Sequence, residues 1–436
     1  MRIKDVFEID YLILLPVMLL MTIGIVFIYS SGVSASSAQV STQYIRQIIW
    51  ASAGVAVALT LAMVNYRRLY NISPYIYLAI LIPLVYTLVF GRMVRGAPRW
   101  LRIGTFGIQV SEFAKIAVII FLARYLDSTR RNVSSFVRFL MSCLIVIIPM
   151  GIVLLQPDLG TSLVFIPILL AMTFVAGLST RYLIFLASCI MLTGFLTVLP
   201  LWESYILRRS LPALGLLTNP RLIIIVVLAL SIIMVIALFG YRKYRKKYFY
   251  WMIYAFAIIV FSLGASFVAS RVLRSYQLMR LIVFLDPNVD PRGAGWNIIQ
   301  SITAIGSGGF AGKGLLQGTQ GQYRFLPEQS TDFIFSLFSE EAGFIGGIVV
   351  FILFMIICLR FLRIITTTSD PFAAYICAGL VGMYSFHFMI NVGMTMGIMP
   401  ITGIPLVFMS YGGSSMISSM IGIGIAMSIY VRRYVH

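Results

Sequence analysis

The sequence predicts an all-α polytopic integral membrane protein. Hydrophobic residues make up 60% of its 436 residues, whereas charged residues make up only 11%. Ordinary soluble domains are far less apolar and more highly charged. Apolar runs of roughly 20 residues, enough to cross about 30 Å of hydrocarbon as a helix, recur from one end of the chain to the other. Because these runs leave no room for a separate soluble domain, we expect residues 1–436 to form a single transmembrane domain.

The apolar runs predict about twelve transmembrane helices. The first run, "YLILLPVMLLMTIGIVFIYSSG", is too long for the core of a signal peptide, and no small-residue cleavage site follows closely. We therefore expect it to be a retained span. The predicted spans are residues 10–30, 45–64, 73–90, 110–126, 137–155, 160–178, 182–200, 220–239, 249–269, 341–361, 372–394 and 404–430.

The positions of Lys and Arg predict the orientation of these spans. With the N-terminus in the cytoplasm, the inner loops and tail contain "NYRRLY", "DSTRRNVSSFVR", "STRY", "YRKYRKKY", "LRFLR" and "VRRYVH", as the positive-inside rule expects. Both termini are then cytoplasmic, and two longer loops, residues 91–110 and about 270–340, are extracytoplasmic. Long loops in compact domains are commonly functional, and the Gly and Pro clusters of the second loop favour ordered turns. We expect the catalytic region there.

The first outer loop contains three arginines, Arg95, Arg99 and Arg102, which flank Trp100. Because this loop leads directly into a span, its arginines favour an anionic, phosphate-bearing substrate that approaches along the outer leaflet. Arginines beside a membrane often extend towards phospholipid headgroups without any further role, which is the simpler interpretation for Arg271, Arg274 and Arg280.

Glu112 and Lys115 are charged residues within a predicted span. A charge at the centre of a membrane costs roughly 2.5 to 3.5 kcal/mol on insertion scales, so each one needs a reason to be there. Three residues apart on a helix, the two side chains can neutralise each other. They could form a structural pair that fixes helix packing, or line a hydrated cavity in which Lys115 meets an anionic group.

Two other segments interrupt the apolar pattern. In "LLQPDLGTSLVF", Asp158 can cap the following helix and Gly160 permits close packing, which favours a structural corner. The segment "GIMPITGIPLVFMSYGGSSM" contains prolines and glycines typical of re-entrant backbone, which persists at membrane depth only when protein or a watery cavity covers it. Ser410, Ser414 and Ser415 would then line a polar seam, although helix packing also selects small residues.

Two features of the sequence resemble a phosphate-binding loop and a metal site but do not fit either pattern. In "GSGGFAGKG" the pattern of a phosphate-binding loop fails, because Ser307 stands where a glycine is required and Gly314 follows Lys313. We expect a glycine-rich turn. The four cysteines and His387 lie in apolar runs without metal-ligand spacing, so we expect them to pack in the interior.

The stretch "FLPEQSTDFIFSLFSEE" places acids where the long loop enters the membrane. Ser330 or Thr331 is a plausible helix N-cap, and an acid in a first helical turn is favoured by the helix dipole. A carboxylate beside apolar walls and near a basic loop also suits a general base or a cation ligand. Asp332 and Glu328 are therefore candidate ligands for a divalent cation such as Mg²⁺ or Mn²⁺. Glu340 and Glu341, two turns later, could add to a cation site or pair with an arginine.

Several of these stretches resemble the SEDS (FtsW/RodA/SpoVE) family of bacterial cell-wall polymerases. They are "GAPRWLRIG", "QVSEFAKIAV", "QPDLGTSLVF", "DPNVDPRGAGWNIIQSITAIGSGGFAGKG", "GTQGQYRFLPEQSTDFIFSLFSEEAGFIG" and "MPITGIPLVFMSYGGSSM". The "GTQ" before "LPE" is closer to the elongation members than to the division members. The family usually has ten spans, so residues 220–269 are predicted to be an additional hairpin.

The resemblance implies a peptidoglycan glycosyltransferase of the bacterial inner membrane that faces outward. It would polymerise lipid II into a nascent glycan strand for cell elongation and shape, with a class B penicillin-binding protein as its transpeptidase partner. Asp332 matches the family's essential acid, and we assign it the role of general base. Lys115 and Glu112 match an intramembrane charged pair, and Arg99 matches an arginine of the first outer loop. The candidate substrate-binding residues are Arg99, Glu112, Lys115, Asp158, Glu328 and Ser410.

A lipid II flippase or another transporter of polyprenyl-linked lipids is the alternative. Twelve spans, broken helices and buried charges also suit alternating access, although no pair of inverted halves is obvious in the sequence. A non-enzymatic scaffold would leave the loop acids unexplained. We expect membrane lipids around the chain and no nucleic-acid partner.

Overall fold

The computed structural model describes residues 10–33, 41–94, 97–103, 106–207 and 215–433. Most of these residues are helical. The helices are α1 Tyr11–Gly32, α2 Gln43–Met63, α3 Arg68–Phe90, α4 Val110–Ser128, α5 Ser135–Leu155, α6 Leu159–Val175, α7 Thr180–Trp202, α8 Gly215–Thr218, α9 Pro220–Tyr244, α10 Lys247–Val272, α11 Ser275–Leu285, α12 Ala294–Gly308, α13 Thr319–Gln322, α14 Ile334–Thr367, α15 Pro371–Thr395 and α16 Gly413–Val431. The strands are β1 Arg92–Val94, β2 Ala97–Ile103 and β3 Phe106–Gln109.

Ten helices in the described part of the chain are long and apolar enough to cross a membrane: α1, α2, α3, α5, α7, α9, α10, α14, α15 and α16. The other two predicted spans also form helices. However, α4 contains four charged residues, and α6 has only 17 residues. The prediction of an all-α, multi-pass membrane protein is confirmed. The count of twelve spans and the cytoplasmic termini stay predictions.

The first predicted outer loop is a small antiparallel sheet in the order β1-β2-β3. Trp100 of β2 lies opposite Gln109 of β3, and Ile103 lies opposite Phe106. The strands within this outer loop were not predicted. Because α4 begins at Val110, directly after β3, the sheet fixes the direction in which this helix starts.

The second predicted outer loop contains more helix than the expected ordered turns. Helices α11, α12 and α13 all lie within residues 270–340. The glycine-rich stretch is a turn between α12 and α13, as predicted. Helix α14 begins only at Ile334, and its N-cap, Phe333, makes no side-chain hydrogen bond. The prediction that Ser330 or Thr331 caps this helix is wrong, because the preceding residues are held in turns.

The described residues fall into two compact units, Met1–Leu178 with Asn297–His436, and Ser179–Trp296. In the first unit, α15 packs against α4, α6 and α14, while α16 packs against α2 and α4. Most residues of α15 and α16 are buried, so these two helices form the core. That core carries the candidate site.

The second unit contains the predicted hairpin. Helix α9 packs along α10, and α10 packs along α7. The connection is tight, since Arg245 takes a left-handed backbone conformation (φ 49°) at the C-cap of α9 and α10 begins two residues later. Whether this hairpin is an addition to the family, and whether the whole chain is one domain, stay predictions.

Residues 396–412, between α15 and α16, form a stretch without regular helix that we name the re-entrant segment. A helix over 404–430 was predicted, but α16 begins only at Gly413. Pro405 cannot donate a main-chain hydrogen bond, and Gly403 and Phe408 have positive φ angles of 72° and 68°. The glycines and prolines therefore predicted the irregular backbone better than the apolar pattern predicted the helix.

Candidate functional site

Asp332 lies on a turn of residues 328–333 that precedes α14, and it is partly exposed. The turn is closed by its own backbone, because the N–H groups of Thr331 and Phe333 both donate to the carbonyl of Glu328, at 3.1 and 3.3 Å. The Thr331 hydroxyl also donates to a Glu328 carboxylate oxygen at 3.2 Å. The exposed Glu328 thus shares a turn with Asp332, as the four-residue spacing predicts.

Three consecutive main-chain carbonyls of this turn are held by other parts of the chain. The N–H of Tyr411 donates to the carbonyl of Ser330 at 2.8 Å. The Ser410 hydroxyl donates to the carbonyl of Thr331 at 2.6 Å, and the Asn391 amide donates to the carbonyl of Asp332 at 2.9 Å. The re-entrant segment and α15 therefore fix the backbone on which the Asp332 carboxylate stands.

The predicted pair of Glu112 and Lys115 is an ion pair in the buried interior. Lys115 Nζ lies 3.0 Å from both carboxylate oxygens of Glu112, and Lys115 is only 1% exposed. Lys115 Nζ also lies 3.0 Å from Nε2 of His387, whose Nδ1 lies 3.1 Å from the carbonyl of Pro405. Because a carbonyl only accepts, Nδ1 carries the ring hydrogen and Nε2 accepts from Lys115. The pair is thereby connected to the re-entrant segment.

Arg99 and Asp158 come together beside the start of α6. Arg99 Nη1 lies 3.7 Å from Asp158 Oδ1, and its other donors reach the carbonyls of Gln156 and Pro157. Asp158 caps α6 as predicted, since it accepts from the N–H of Thr161 at 3.3 Å. The side chains of Arg95 and Arg102 lie outside the described part of the structure.

The re-entrant segment and the start of α16 lie between the Arg99–Asp158 pair and the Asp332 turn. Gln109 donates through its side-chain amide to Asp158 Oδ2 at 3.0 Å and through its main-chain N–H to the Ser414 hydroxyl at 3.0 Å. An added Cβ at Gly160 would lie 2.5 Å from the carbonyl oxygen of Thr402, so α6 packs directly on the segment. The predicted residues thus surround one stretch of irregular backbone.

Glu340 and Glu341 lie apart from these contacts, at the start of α14. Glu340 pairs with Lys313 of the glycine-rich turn, and Glu341 accepts from the Ser30 hydroxyl of α1 at 2.6 Å. Pairing with an arginine, one of the two interpretations of these acids, is wrong for Glu340, since its partner is a lysine. Both acids are buried. These contacts attach the glycine-rich turn and α1 to α14 just before its kink at Gly343.

Within the described residues, no group of three or more His, Cys, Asp or Glu side chains could hold a metal ion. Two carboxylates on one turn, Asp332 and Glu328, are still an oxygen donor set of the kind that Mg²⁺ uses together with water and substrate phosphates. A cation site at these two residues stays a prediction.

Sequence reasoning missed three residues that organise the site. Asn391 and Gln109 donate the hydrogen bonds given above, and Gln47 of α2 donates to the carbonyl of Ser410 at 3.1 Å. His387 is buried as predicted, but it contacts Lys115 rather than only packing. For Asn391 and Gln47 the available signal was a polar side chain inside an apolar helix, which membrane proteins rarely keep without a partner. Gln109 ends a strand and gave no such signal.

Comparisons with known proteins agree with this architecture. The model of the family described as "Cell cycle protein" (FtsW/RodA/SpoVE) matches residues 10–220 and 210–434. The chain is 47% identical to "Peptidoglycan glycosyltransferase RodA" of Treponema pallidum (strain Nichols), over 99% of this chain and 100% of that one. It is 32% identical to "Peptidoglycan glycosyltransferase MrdB" of Escherichia coli (strain K12), over 96% of this chain and 94% of that one.

Solved structures show the same fold. A chain in "Structural coordination of polymerization and crosslinking by a peptidoglycan synthase complex" gives a TM-score of 0.68 at 24% identity, covering 98% of this chain and 99% of that one. The Thermus thermophilus rod shape determining protein RodA gives a TM-score of 0.59 at 22% identity, covering 98% of both chains. Because the family model spans nearly the whole sequence and the curated relatives align over nearly their full lengths, the chain belongs to the FtsW/RodA/SpoVE family.

Proposed function

We propose that this chain is a peptidoglycan glycosyltransferase that polymerises lipid II into glycan strands at the outer face of the bacterial inner membrane, for cell elongation and shape. The names of its curated relatives support the reaction class. The observation that carries the proposal is the Asp332 turn, in which a partly exposed aspartate lies on a backbone fixed at three successive carbonyls.

In the proposed reaction, the Asp332 carboxylate accepts the proton of the acceptor sugar's hydroxyl. The hydroxyl oxygen attacks the anomeric carbon of the donor, the bond between that carbon and the pyrophosphate oxygen breaks, and polyprenyl pyrophosphate leaves. A positioned general base contributes about a hundredfold to ten-thousandfold in rate. A fixed turn serves this chemistry because the base must stay within hydrogen-bond reach of the hydroxyl.

The leaving pyrophosphate needs positive charge near it. Arg99 is about a quarter exposed beside Asp158, so its guanidinium is the more accessible cation, whereas Lys115 is fully buried against Glu112. A divalent cation held by Asp332 and Glu328 would supply Lewis-acid stabilisation of the departing phosphate oxygens. We propose that Arg99 and Asp158 border the substrate path, and that Ser410 contributes by holding the turn.

The partners follow from the same reaction. The glycan strand grows from lipid II, and we propose that a class B penicillin-binding protein cross-links the product. A relative of the same fold comes from a structure named as a peptidoglycan synthase complex, which supports an assembly of this kind. Anionic lipid substrates also suit a chain with a formal net charge of +19.

Incubation of the purified protein with lipid II in detergent, followed by measurement of glycan chain length, tests the proposal. Wild-type protein should form polymer, and Asp332→Asn should lower the rate by about a hundredfold or more. The substitution is isosteric and leaves the main-chain carbonyl bonded to Asn391. Glu328→Gln, which removes the second proposed cation ligand, and assays with and without a chelator test the cation.

Two results would reject the proposal. Wild-type chain lengths from Asp332→Asn would remove the assigned base. Intact lipid II after prolonged incubation with wild-type protein would favour the flippase, because a transporter forms no new glycosidic bond.

A further inference from the structure

We infer that Asn391 is a positioning residue for Asp332, which it links through its side-chain amide to the re-entrant segment. The inference rests on the proposed function, in which Asp332 is the general base. The amide nitrogen of Asn391 donates to two main-chain carbonyls, that of Asp332 at 2.9 Å and that of Ile404 at 2.7 Å. An amide NH₂ group has two hydrogens, so both bonds form at once.

The burial of Asn391 indicates that these two hydrogen bonds are the reason for an asparagine at this position. The residue is 0% exposed near the C-terminal end of α15, and its Oδ1 has no hydrogen-bond partner among the described residues. An amide buried without full satisfaction is unfavourable compared with an apolar side chain of the same size. Because half of the amide is unsatisfied, packing alone does not account for an asparagine here, whereas the two carbonyls do.

The carbonyl of Ile404 is a firm point of attachment. The next carbonyl, that of Pro405, accepts from His387 Nδ1, which lies one turn before Asn391 on the same helix. Helix α15 therefore binds two successive carbonyls of the re-entrant segment through His387 and Asn391. Since His387 also accepts from Lys115, the buried charged pair and the Asp332 turn are fixed to the same backbone.

The consequence concerns the direction of the Asp332 side chain. Ser410 and Tyr411 hold the carbonyls before Asp332, but Asn391 holds the carbonyl of Asp332 itself. Without that bond, the peptide between residues 332 and 333 keeps only the hydrogen bond from the Phe333 N–H to the carbonyl of Glu328, at 3.3 Å, and the carboxylate can shift with it. A misplacement of about 1 Å can cost on the order of a hundredfold in rate.

The test compares Asn391→Ala and Asn391→Asp with Ser428→Ala. Ser428 is a matched control, because its buried hydroxyl also joins two segments by two hydrogen bonds, to the carbonyl of Val64 and from the N–H of Tyr66. Asn391→Asp keeps the side-chain volume and removes at least one amide donor, so an empty cavity cannot explain its effect. Polymerisation of lipid II is measured per mole of monodisperse protein, together with the Tm of each variant.

We expect all three variants to lower the Tm by similar amounts, while only the Asn391 variants lower kcat, by about tenfold to a hundredfold, with little change in KM. An equal loss of kcat in Asn391→Asp and Ser428→Ala, or wild-type kcat in Asn391→Asp, would overturn the inference. Wild-type activity in Asp332→Asn would instead reject the proposed base, whatever the Asn391 variants do. The failures of the two proposals are therefore distinguishable.

Discussion

Lys313 Nζ lies 2.7 Å from Oε1 of Glu340, so one ion pair attaches the glycine-rich turn to the start of α14. Glu340 is fully buried and also accepts from the N–H of Gln320. Beside it, α14 kinks at Gly343, whose φ of 66° and ψ of −166° lie outside the helical range. A side chain at Gly343 would collide with the backbone of Gly312, which explains why α14 needs a glycine at position 343.

Removal of Lys313 should destabilise the protein through the acid it leaves behind. We expect Lys313→Met to lower the free energy of unfolding by about 3 kcal/mol, because a buried carboxylate loses its counterion. Adding Glu340→Gln to Lys313→Met should restore most of the loss. Thermal unfolding in detergent measures both, with Lys313→Arg as the charge-conserving control. If the double variant is less stable than the single one, the ion pair is not the cause.

Glu112 and Lys115 allow the structural and functional interpretations of a buried pair to be separated. Either single neutral variant, Glu112→Gln or Lys115→Met, should cost about 3 to 5 kcal/mol of stability. The double variant should recover much of that stability. We expect it to remain impaired towards lipid II, because Lys115 no longer donates to His387, which binds the re-entrant segment. A stable double variant that polymerises at the wild-type rate would assign the pair to packing alone.

Gly160 should tolerate no side chain. A Cβ there would lie 2.5 Å from the carbonyl oxygen of Thr402, which belongs to the re-entrant segment. We expect Gly160→Ala to lower stability by about 1 to 3 kcal/mol through overpacking and to reduce polymerisation. Gly151→Ala on α5 is the control, because a Cβ at Gly151 meets nothing within 4 Å. Comparable Tm values for the two variants would show that α6 can move away from the segment.

Tyr66 should make stability fall at high pH. Its hydroxyl donates to Asp370 Oδ2 at 2.8 Å, and burial, followed by the contacts with Asp370, raises its pKa from 10.0 to about 12. Neutral tyrosine is therefore favoured in the folded state. The resulting stability is fully present below pH 10 and is lost as the pH rises through about 12.

The matched variant for this prediction is Tyr66→Phe, which cannot ionise. The difference in unfolding free energy between wild type and Tyr66→Phe should be constant below pH 10 and then decrease by about 2 to 3 kcal/mol up to pH 12. Unfolding monitored by intrinsic fluorescence at a series of pH values gives both curves. Parallel curves across this range would contradict the raised pKa of Tyr66.

The long helices could be predicted because their signal is local. An apolar run such as α9 contains all the information that makes it a membrane helix. The sheet of β1, β2 and β3 was missed because its strands are short and contain three arginines, a glycine and a proline. The start of α14 was misjudged because contacts from residues 410 and 411 hold the preceding turn out of the helix.

The sequence predicted which residues belong to the candidate site better than it predicted which of them contact one another. Asp332, Glu112, Lys115 and Asp158 stand out as charges in apolar surroundings. The contact of Asn391 with Asp332 spans 59 residues of sequence, so no spacing rule reveals it. An uncharged amide within an apolar helix is also a weaker signal than a charge.

The three carbonyls of the Asp332 turn have a consequence for biosynthesis. Their donors come from residues 391, 410 and 411, all of which are translated well after residue 332. A nascent chain that ends before Asn391 has none of these donors, whatever helices have already been inserted. The cell therefore obtains an ordered Asp332 turn only after residue 411 has been translated, and chains that terminate before Asn391 lack it.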